Sequence, residues 1–386
     1  MVNKKIFIIA GEASGDILGH DLMKAILSRD PSVEIAGVGG EEMSKIPGFK
    51  SLFDIRDIAV MGIVEVFKNL PTIMRRLKQT AAAIAAFKPD LLVTIDAPGF
   101  NMPVARRAKK LVPSLRAAHY VAPQVWAWKE RRAAKIAALY DYLLCLFPFE
   151  PKYFEKYGLP TFVVGHTAVE TARGNATRFR KRHDMAEGDL IITMLPGSRV
   201  QMARRLLPVF ERTAELLSAK IPNLKIVIPT TATAHDFIRA EAAKWRTKPL
   251  IVAGKNERYD AFAASGAALS ISGTAVLELA LANVPTVAAY KASALTYFIG
   301  HRLVKLPSVT LPNIIAGKEV VPEFIQDKAT PEALAAAIMK FLNDGKYRDR
   351  YFRQLETVRE RLTPPGGKTP SAEAASIILD AIGGGK

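Results

Sequence analysis

The sequence predicts an α/β chain built from two parallel-sheet domains. Three observations carry that expectation. Short, continuously apolar runs recur along the chain, as strands covered on both faces require; amphipathic stretches alternate with them; and 386 residues suit two or three domains of about 150 residues each. In chain order the expected strands are Ile6–Ala10, a strand-like Val33–Ala36, Leu91–Ile95 and Tyr142–Leu146, then Leu190–Met194, Leu224–Ile228, Ala268–Ile271 and Thr286–Ala288. The helical stretches between them include Asp16–Ser28, Asn101–Leu111, Ala203–Lys220 and Thr274–Leu281.

The two series part near Val164-Gly165-His166, beyond which Glu170–Gly188 is polar and basic. The expected division is residues 1–165, residues 166–345, and a terminal segment 346–386. That last segment holds helical stretches Lys346–Leu362 and Pro370–Ile382 around the breaker Pro364-Pro365-Gly366-Gly367, and it is expected to pack back on an N-terminal domain of its own or a partner chain.

A composition of 49% hydrophobic and 24% charged residues excludes a disordered or collagen-like chain. Cys145 stands alone, which excludes an internal disulfide, and six scattered histidines argue against a metal cluster. No apolar run approaches the roughly 20 residues that span a bilayer. Met1–Lys5 leads into a run of strand length only, so neither a signal peptide nor an integral anchor is expected. The net charge of +17 favours anionic partners. It is spread evenly, with 23 basic and 16 acidic residues in 1–165 and 31 and 21 in the rest, which argues against a dedicated nucleic-acid module.

Several motifs fail on inspection. Gly366-Gly367-Lys368-Thr369 resembles the end of a phosphate loop, but Leu362 stands where the first glycine is needed. Gly37-Val38-Gly39-Gly40 lacks the third glycine of a dinucleotide fingerprint. Ser14 lies in Gly11-Glu12-Ala13-Ser14-Gly15, not in the spacing of a hydrolase nucleophile elbow.

Four loops after expected strands remain. Gly11-Glu12-Ala13-Ser14-Gly15-Asp16 joins strand to helix; its small residues and helix-start amides suit an anion, while tight packing alone explains the glycines equally well. Asp96 ends the apolar run Leu91–Ile95 and precedes Ala97-Pro98-Gly99-Phe100-Asn101. Apolar neighbours would raise its pKa toward that of a general base for an alcohol, and a turn aspartate is the competing reading. Leu195-Pro196-Gly197-Ser198-Arg199 presents Ser198 and a guanidinium fork at a helix start, which suits a phosphate better than a solvated arginine. In Ser272-Gly273-Thr274-Ala275-Val276-Leu277-Glu278, Thr274 is expected to cap the helix, Gly273 to admit a diphosphate, and Glu278 to bond ribose hydroxyls; simple capping is the alternative. A fifth feature, Val60–Lys78, has more apolar residues than one stripe needs, among them Val64, Phe67, Leu70 and Met74, flanked by Lys68, Arg75, Arg76 and Lys78. It reads either as a face for anionic lipid and acyl chains or as a core helix with a basic outer side.

These motifs together resemble the lipid-A-disaccharide synthases, bacterial glycosyltransferases of outer-membrane lipid A assembly. The resemblance runs through Gly11–Asp16, Met61-Gly62, Ile95–Pro98, Tyr120-Val121-Ala122-Pro123-Gln124-Val125-Trp126-Ala127-Trp128, Leu146–Glu150, Leu195–Arg199, Ser272–Glu278 and Leu311-Pro312-Asn313-Ile314-Ile315. It implies a GT-B type fold, two Rossmann-like domains facing across a cleft, and no cofactor or metal. It implies UDP-2,3-diacylglucosamine as donor in the C-terminal domain, 2,3-diacylglucosamine 1-phosphate as acceptor, and a β-1,6 linkage formed with inversion. By motif, Asp96 matches the base, and Arg199, Glu278 and Asn313 match donor or catalytic positions; Gly11, Ser14, Gly15 and Asp16 are assigned to an acceptor or phosphate loop. A cytoplasmic protein resting on the inner membrane face and a homodimer are implied as well, and no nucleic-acid partner. The chain departs from the family in Val200-Gln201-Met202, where an acidic residue is common, and in Thr167, where proline is usual; Met202 is expected to extend the lipid-facing surface. The rival readings are another two-domain UDP-sugar enzyme, such as a peptidoglycan glycosyltransferase or an epimerase, and a basic membrane- or nucleic-acid-binding protein.

Overall fold

The computed structural model describes residues 4–59, 63–126, 131–171, 173–292 and 308–383, with the side chains of 63–68 and 171 outside the description. Two compact units emerge, one formed by 1–167 with 362–386 and the other by 168–361.

The first unit holds a six-stranded parallel sheet of order β2-β1-β3-β4-β5-β6. Its strands are β1 (Lys5–Ala10), β2 (Glu34–Val38), β3 (Leu91–Ile95), β4 (Ala117–Tyr120), β5 (Tyr142–Cys145) and β6 (Thr161–Val163). The central strands are apolar on both faces because helices cover both: Ile6, Ile8, Ile9, Leu91, Leu92 and Val93 are fully buried. Its longer helices include α1 (Ala13–Arg29), α2 (Ile63–Phe87) and α3 (Pro98–Leu111). The C-terminal helix Pro370–Gly383 packs on α1, bringing buried Ala374, Ala375 and Ile378 to it.

The second unit repeats the plan with order β12-β11-β10-β7-β8-β9. The strands are β7 (Leu190–Leu195), β8 (Leu224–Thr230), β9 (Leu250–Ala253), β10 (Ala267–Ile271), β11 (Thr286–Tyr290) and β12 (Glu323–Ile325). The segment expected at 346–386 is shared between the units. Helix Gly345–Leu362 belongs mostly to the second, where the Tyr351 hydroxyl donates to Val284 O at 3.1 Å and Arg359 Nη2 to Leu281 O at 2.6 Å.

Both units are Rossmann-like, and in each the strand order reverses once, between β1 and β3 and between β7 and β10. Loops leaving the carboxyl ends of strands at such a reversal diverge to opposite faces and leave a crevice, where open α/β sheets bind ligands. The four loops singled out from the sequence follow β1, β3, β7 and β10.

Candidate active site

At the first reversal Ala10 pairs with Ile95, so the Gly11 loop and Asp96 leave the sheet side by side. Their approach depends on glycine: a Cβ on Gly11 would lie 2.3 Å from the Ala97 Cβ. Gly15 packs on Ile95 of β3 at ordinary contact distance, and Ser14 is exposed on the first turn of α1. Asp16 behaves differently from its expected membership of an anion loop. Its carboxylate is buried and accepts N–H groups from Gly40 (2.6 Å), Glu42 (2.9 Å) and Met43 (3.1 Å), so it ties the loop after β2 to α1.

Asp96 and Ala97 both adopt the left-handed backbone conformation, with φ of +50° and +41°. Neither is glycine, so the turn is strained and the surroundings must hold it. The Asp96 N–H donates to Tyr120 O at 2.9 Å, and the Ala97 N–H donates to Asp96 Oδ1 at 2.8 Å. Burial raises the Asp96 pKa above the ordinary carboxylate value, partly offset by that Ala97 N–H. Asn101, which sequence reasoning assigned no role, is fully buried beneath the turn and donates to Ile95 O and to Asp96 O.

At the second reversal Gly197 takes φ +134°, where a Cβ would crowd that of Met202 at 3.1 Å. Ser198 and Arg199 are exposed at the start of helix Val200–Ser218. The Ser198 carbonyl accepts hydroxyls from Thr231 (3.1 Å) and Thr233 (2.8 Å), and the Arg199 side chain makes no ion pair or hydrogen bond among the described residues. Met202, expected on a lipid-facing surface, instead packs partly buried against the core of this unit. After β10, Gly273 and not Thr274 is the cap of helix Thr274–Leu281; Thr274 is its exposed first residue and supplies no capping bond. No side chain caps the first-turn amides there, of which the Val276 N–H donates to Gly273 O at 3.2 Å.

Glu278 is held by an ion pair with Arg258 at 3.1 Å, which the sequence did not reveal. Burial raises its pKa, opposed by Arg258 and Lys255. Asn313 has its whole amide engaged inside the fold. Its Nδ2 donates to Val321 O (2.8 Å) and Glu323 Oε1 (2.9 Å), and its Oδ1 accepts from the N–H groups of Val320 and Val321, both at 2.7 Å. These four bonds tie 313 to 320–323 within the second unit. Glu323 also accepts from Thr310 N (2.9 Å), Thr310 Oγ1 (2.6 Å) and Ser308 Oγ, and so gathers 308–313 beside Ser272, whose hydroxyl donates to Val309 O.

Of the expected lipid-facing residues, Leu70 and Met74 are exposed one turn apart on α2. Residues 60–62 and the side chains of Val64 and Phe67 lie outside the described residues. Among the described residues no group of three or more His, Cys, Asp or Glu side chains converges as metal ligands would, and no helix is long and apolar enough to cross a membrane.

Comparison with known proteins agrees with this layout. A putative UDP-N-acetylglucosamine 2-epimerase from Listeria monocytogenes superposes with a TM-score of 0.66 at 14% identity, covering 99% of this chain and 96% of that one. A glycosyltransferase from Rickettsia africae gives 0.60 at 13% identity over the full length of both. At such identities the likeness speaks for the GT-B fold alone. Sequence similarity reaches further: the lipid-A-disaccharide synthase of Gluconobacter oxydans is 42% identical over 379 residues, covering 98% of this chain and 90% of that protein. The family model described as lipid-A-disaccharide synthetase matches residues 6–368. With every strand of both sheets but the first residue of β1 inside that match, the chain belongs to the lipid-A-disaccharide synthase family.

Proposed function

We propose that this chain transfers 2,3-diacylglucosamine from UDP-2,3-diacylglucosamine to the 6-hydroxyl of 2,3-diacylglucosamine 1-phosphate, releasing UDP and the β-1,6-linked disaccharide 1-phosphate. The observation that carries this reading is the family match over residues 6–368. In the mechanism it supports, Asp96 takes the proton of the acceptor hydroxyl as that oxygen attacks the donor's anomeric carbon from the side opposite the diphosphate. The bond to the diphosphate breaks, the anomeric configuration inverts, and UDP leaves with the bonding electrons. One displacement needs one base and no covalent nucleophile.

The departing diphosphate gains charge, and Arg199 with the amides at Gly273-Thr274 would meet it. The exposure of Arg199, Ser198 and Thr274 supports this role, because a side chain already paired within the fold has less to offer an anion. Glu278 would bond the ribose hydroxyls while braced by Arg258, with Gly11, Ser14 and Gly15 lining the acceptor side. Incubating the purified protein with both diacylated substrates should produce a disaccharide 1-phosphate and UDP by mass spectrometry. Interconversion of UDP-sugars without consumption of acceptor would point to an epimerase instead.

Access to acylated substrates would come from a membrane face carried by α2, where exposed Leu70 and Met74 lie beside basic Arg75. Serine at both positions should reduce co-sedimentation with anionic phospholipid vesicles, and unchanged sedimentation would remove this role from α2. A homodimer belongs to the same reading and is open to sedimentation analysis.

A further inference from the structure

Asn101 is completely buried, yet it is polar and sits on the fourth position of α3 directly beneath the strained turn. Its Nδ2 carries two hydrogens and both are used, one on Ile95 O at 3.0 Å and one on Asp96 O at 2.7 Å. The N–H of Asp96 is pinned on the other side by Tyr120 O. The peptide groups before and after the Asp96 Cα are therefore both held, which fixes the direction of its Cα–Cβ bond. With Oδ1 occupied by the Ala97 N–H, Oδ2 is the carboxylate oxygen left for a proton.

No residue of similar size does the same work. Aspartate offers two acceptors to two carbonyl acceptors, leucine offers nothing, and serine offers one donor. Two consecutive non-glycine residues in the left-handed region cost energy that the bonds around the turn, the Asn101 clamp among them, must offset. Gly11 completes the arrangement, because a Cβ there would collide with that of Ala97 and lie 4.0 Å from the Asn101 amide nitrogen.

We infer that Asn101 is a positioning residue of the transfer reaction: by clamping the Ile95 and Asp96 carbonyls it holds the left-handed turn that presents Asp96 Oδ2 to the acceptor hydroxyl. The inference rests on the reading of Asp96 as the base, and its test separates the two.

Full-length Asn101→Asp, Asn101→Ser and Asp96→Asn are compared by steady-state kinetics with both lipid substrates across pH, and by calorimetry with UDP. Asn101→Asp is expected to lower kcat by about 100-fold, the scale of a catalytic group displaced by an ångström. Asn101→Ser, which keeps one donor, should fall between it and the wild type, with donor KM and UDP affinity unchanged in both. A loosened Asp96 reaches more water, so the acid limb of kcat should move to lower pH in the serine variant, whereas the added carboxyl of Asn101→Asp opposes that shift by like charge. An unchanged circular-dichroism spectrum and melting temperature certify the fold of the first unit, on which UDP binding in the second does not report, and if Asn101→Asp does not fold, the serine variant carries the test alone. Wild-type kcat and acid limb in Asn101→Ser, beside an inactive Asp96→Asn, would overturn the positioning role only. The same holds for a kcat loss with an unmoved acid limb and a weakened UDP affinity, the mark of general damage. Full turnover in Asp96→Asn would remove the base, and this inference with it.

Discussion

The two sheet reversals use one architecture in opposite ways. Between β1 and β3 the buried polar side chains are tied to backbone: Asp16 to three amides, the Asn101 Nδ2 to two carbonyls, one oxygen of Asp96 to Ala97. Between β7 and β10, Glu278 is paired with Arg258, but Ser198, Arg199 and Thr274 stand exposed and uncommitted at their side chains. The difference suits the two tasks proposed for these loops. A base acts through one oxygen, gains from partial desolvation and loses if it wanders, so its surroundings are rigid. A grip for a diphosphate must keep its charge and amides available until the ligand arrives.

The contrast can be broken from either side, and Asp96→Asn is the largest blow. It should lower turnover by about 100- to 10,000-fold, the usual worth of a general base, while UDP binding measured by calorimetry stays at the wild-type value. Next comes Arg199→Ala. A lost hydrogen bond to a charged group costs about 1.5–3 kcal/mol, so UDP affinity should fall by roughly 10- to 100-fold, with thermal stability unchanged because the side chain holds nothing else.

At the rigid reversal a different outcome is expected from Asp16→Ala. It leaves three amides of the β2 loop without their acceptor, a loss of about 1–3 kcal/mol that should appear as a lower Tm before any effect on UDP affinity. An unchanged Tm would mean that the loop is held by something other than Asp16.

The smallest effect concerns Glu150, a second desolvated carboxylate in the first unit. It accepts the N–H groups of Leu146 and Phe147, both at 3.0 Å, and burial pushes its pKa from 4.5 up to about 7. Between those values the folded chain keeps a proton that the unfolded chain has released, so stability falls as pH rises through the window. The Tm of Glu150→Gln relative to wild type should therefore climb from pH 4.5 to pH 7. A constant difference would show that Glu150 is not desolvated as its surroundings demand.

Much of this arrangement was legible in the chain. Ile6–Ala10, Leu91–Ile95, Leu190–Met194 and Ala268–Ile271 are the strands bordering the reversals, and they read clearly because central strands are apolar on both faces. The strands that escaped notice are Ala117–Tyr120, Thr161–Val163, Leu250–Ala253 and Glu323–Ile325. The first is rich in alanine and carries His119, whose buried ring bonds Thr94 Oγ1 at 2.7 Å, a partner no local pattern announces. The others are three or four residues long and lie at sheet edges, where one side needs no apolar cover.

Sequence alone determined the α/β grammar, the family, and the four loops at the strand ends, since each depends on residues close together in the chain. Tertiary structure alone decided which polar groups are spent and which are available. Asp16 meets its partners 24 to 27 residues away, Arg258 meets Glu278 across 20, and Asn313 is saturated by residues 7 to 10 further on. A side chain's freedom to act on a ligand is set by the hydrogen bonds it has already made, and those are fixed by the packing of distant segments, not by the spacing of neighbours.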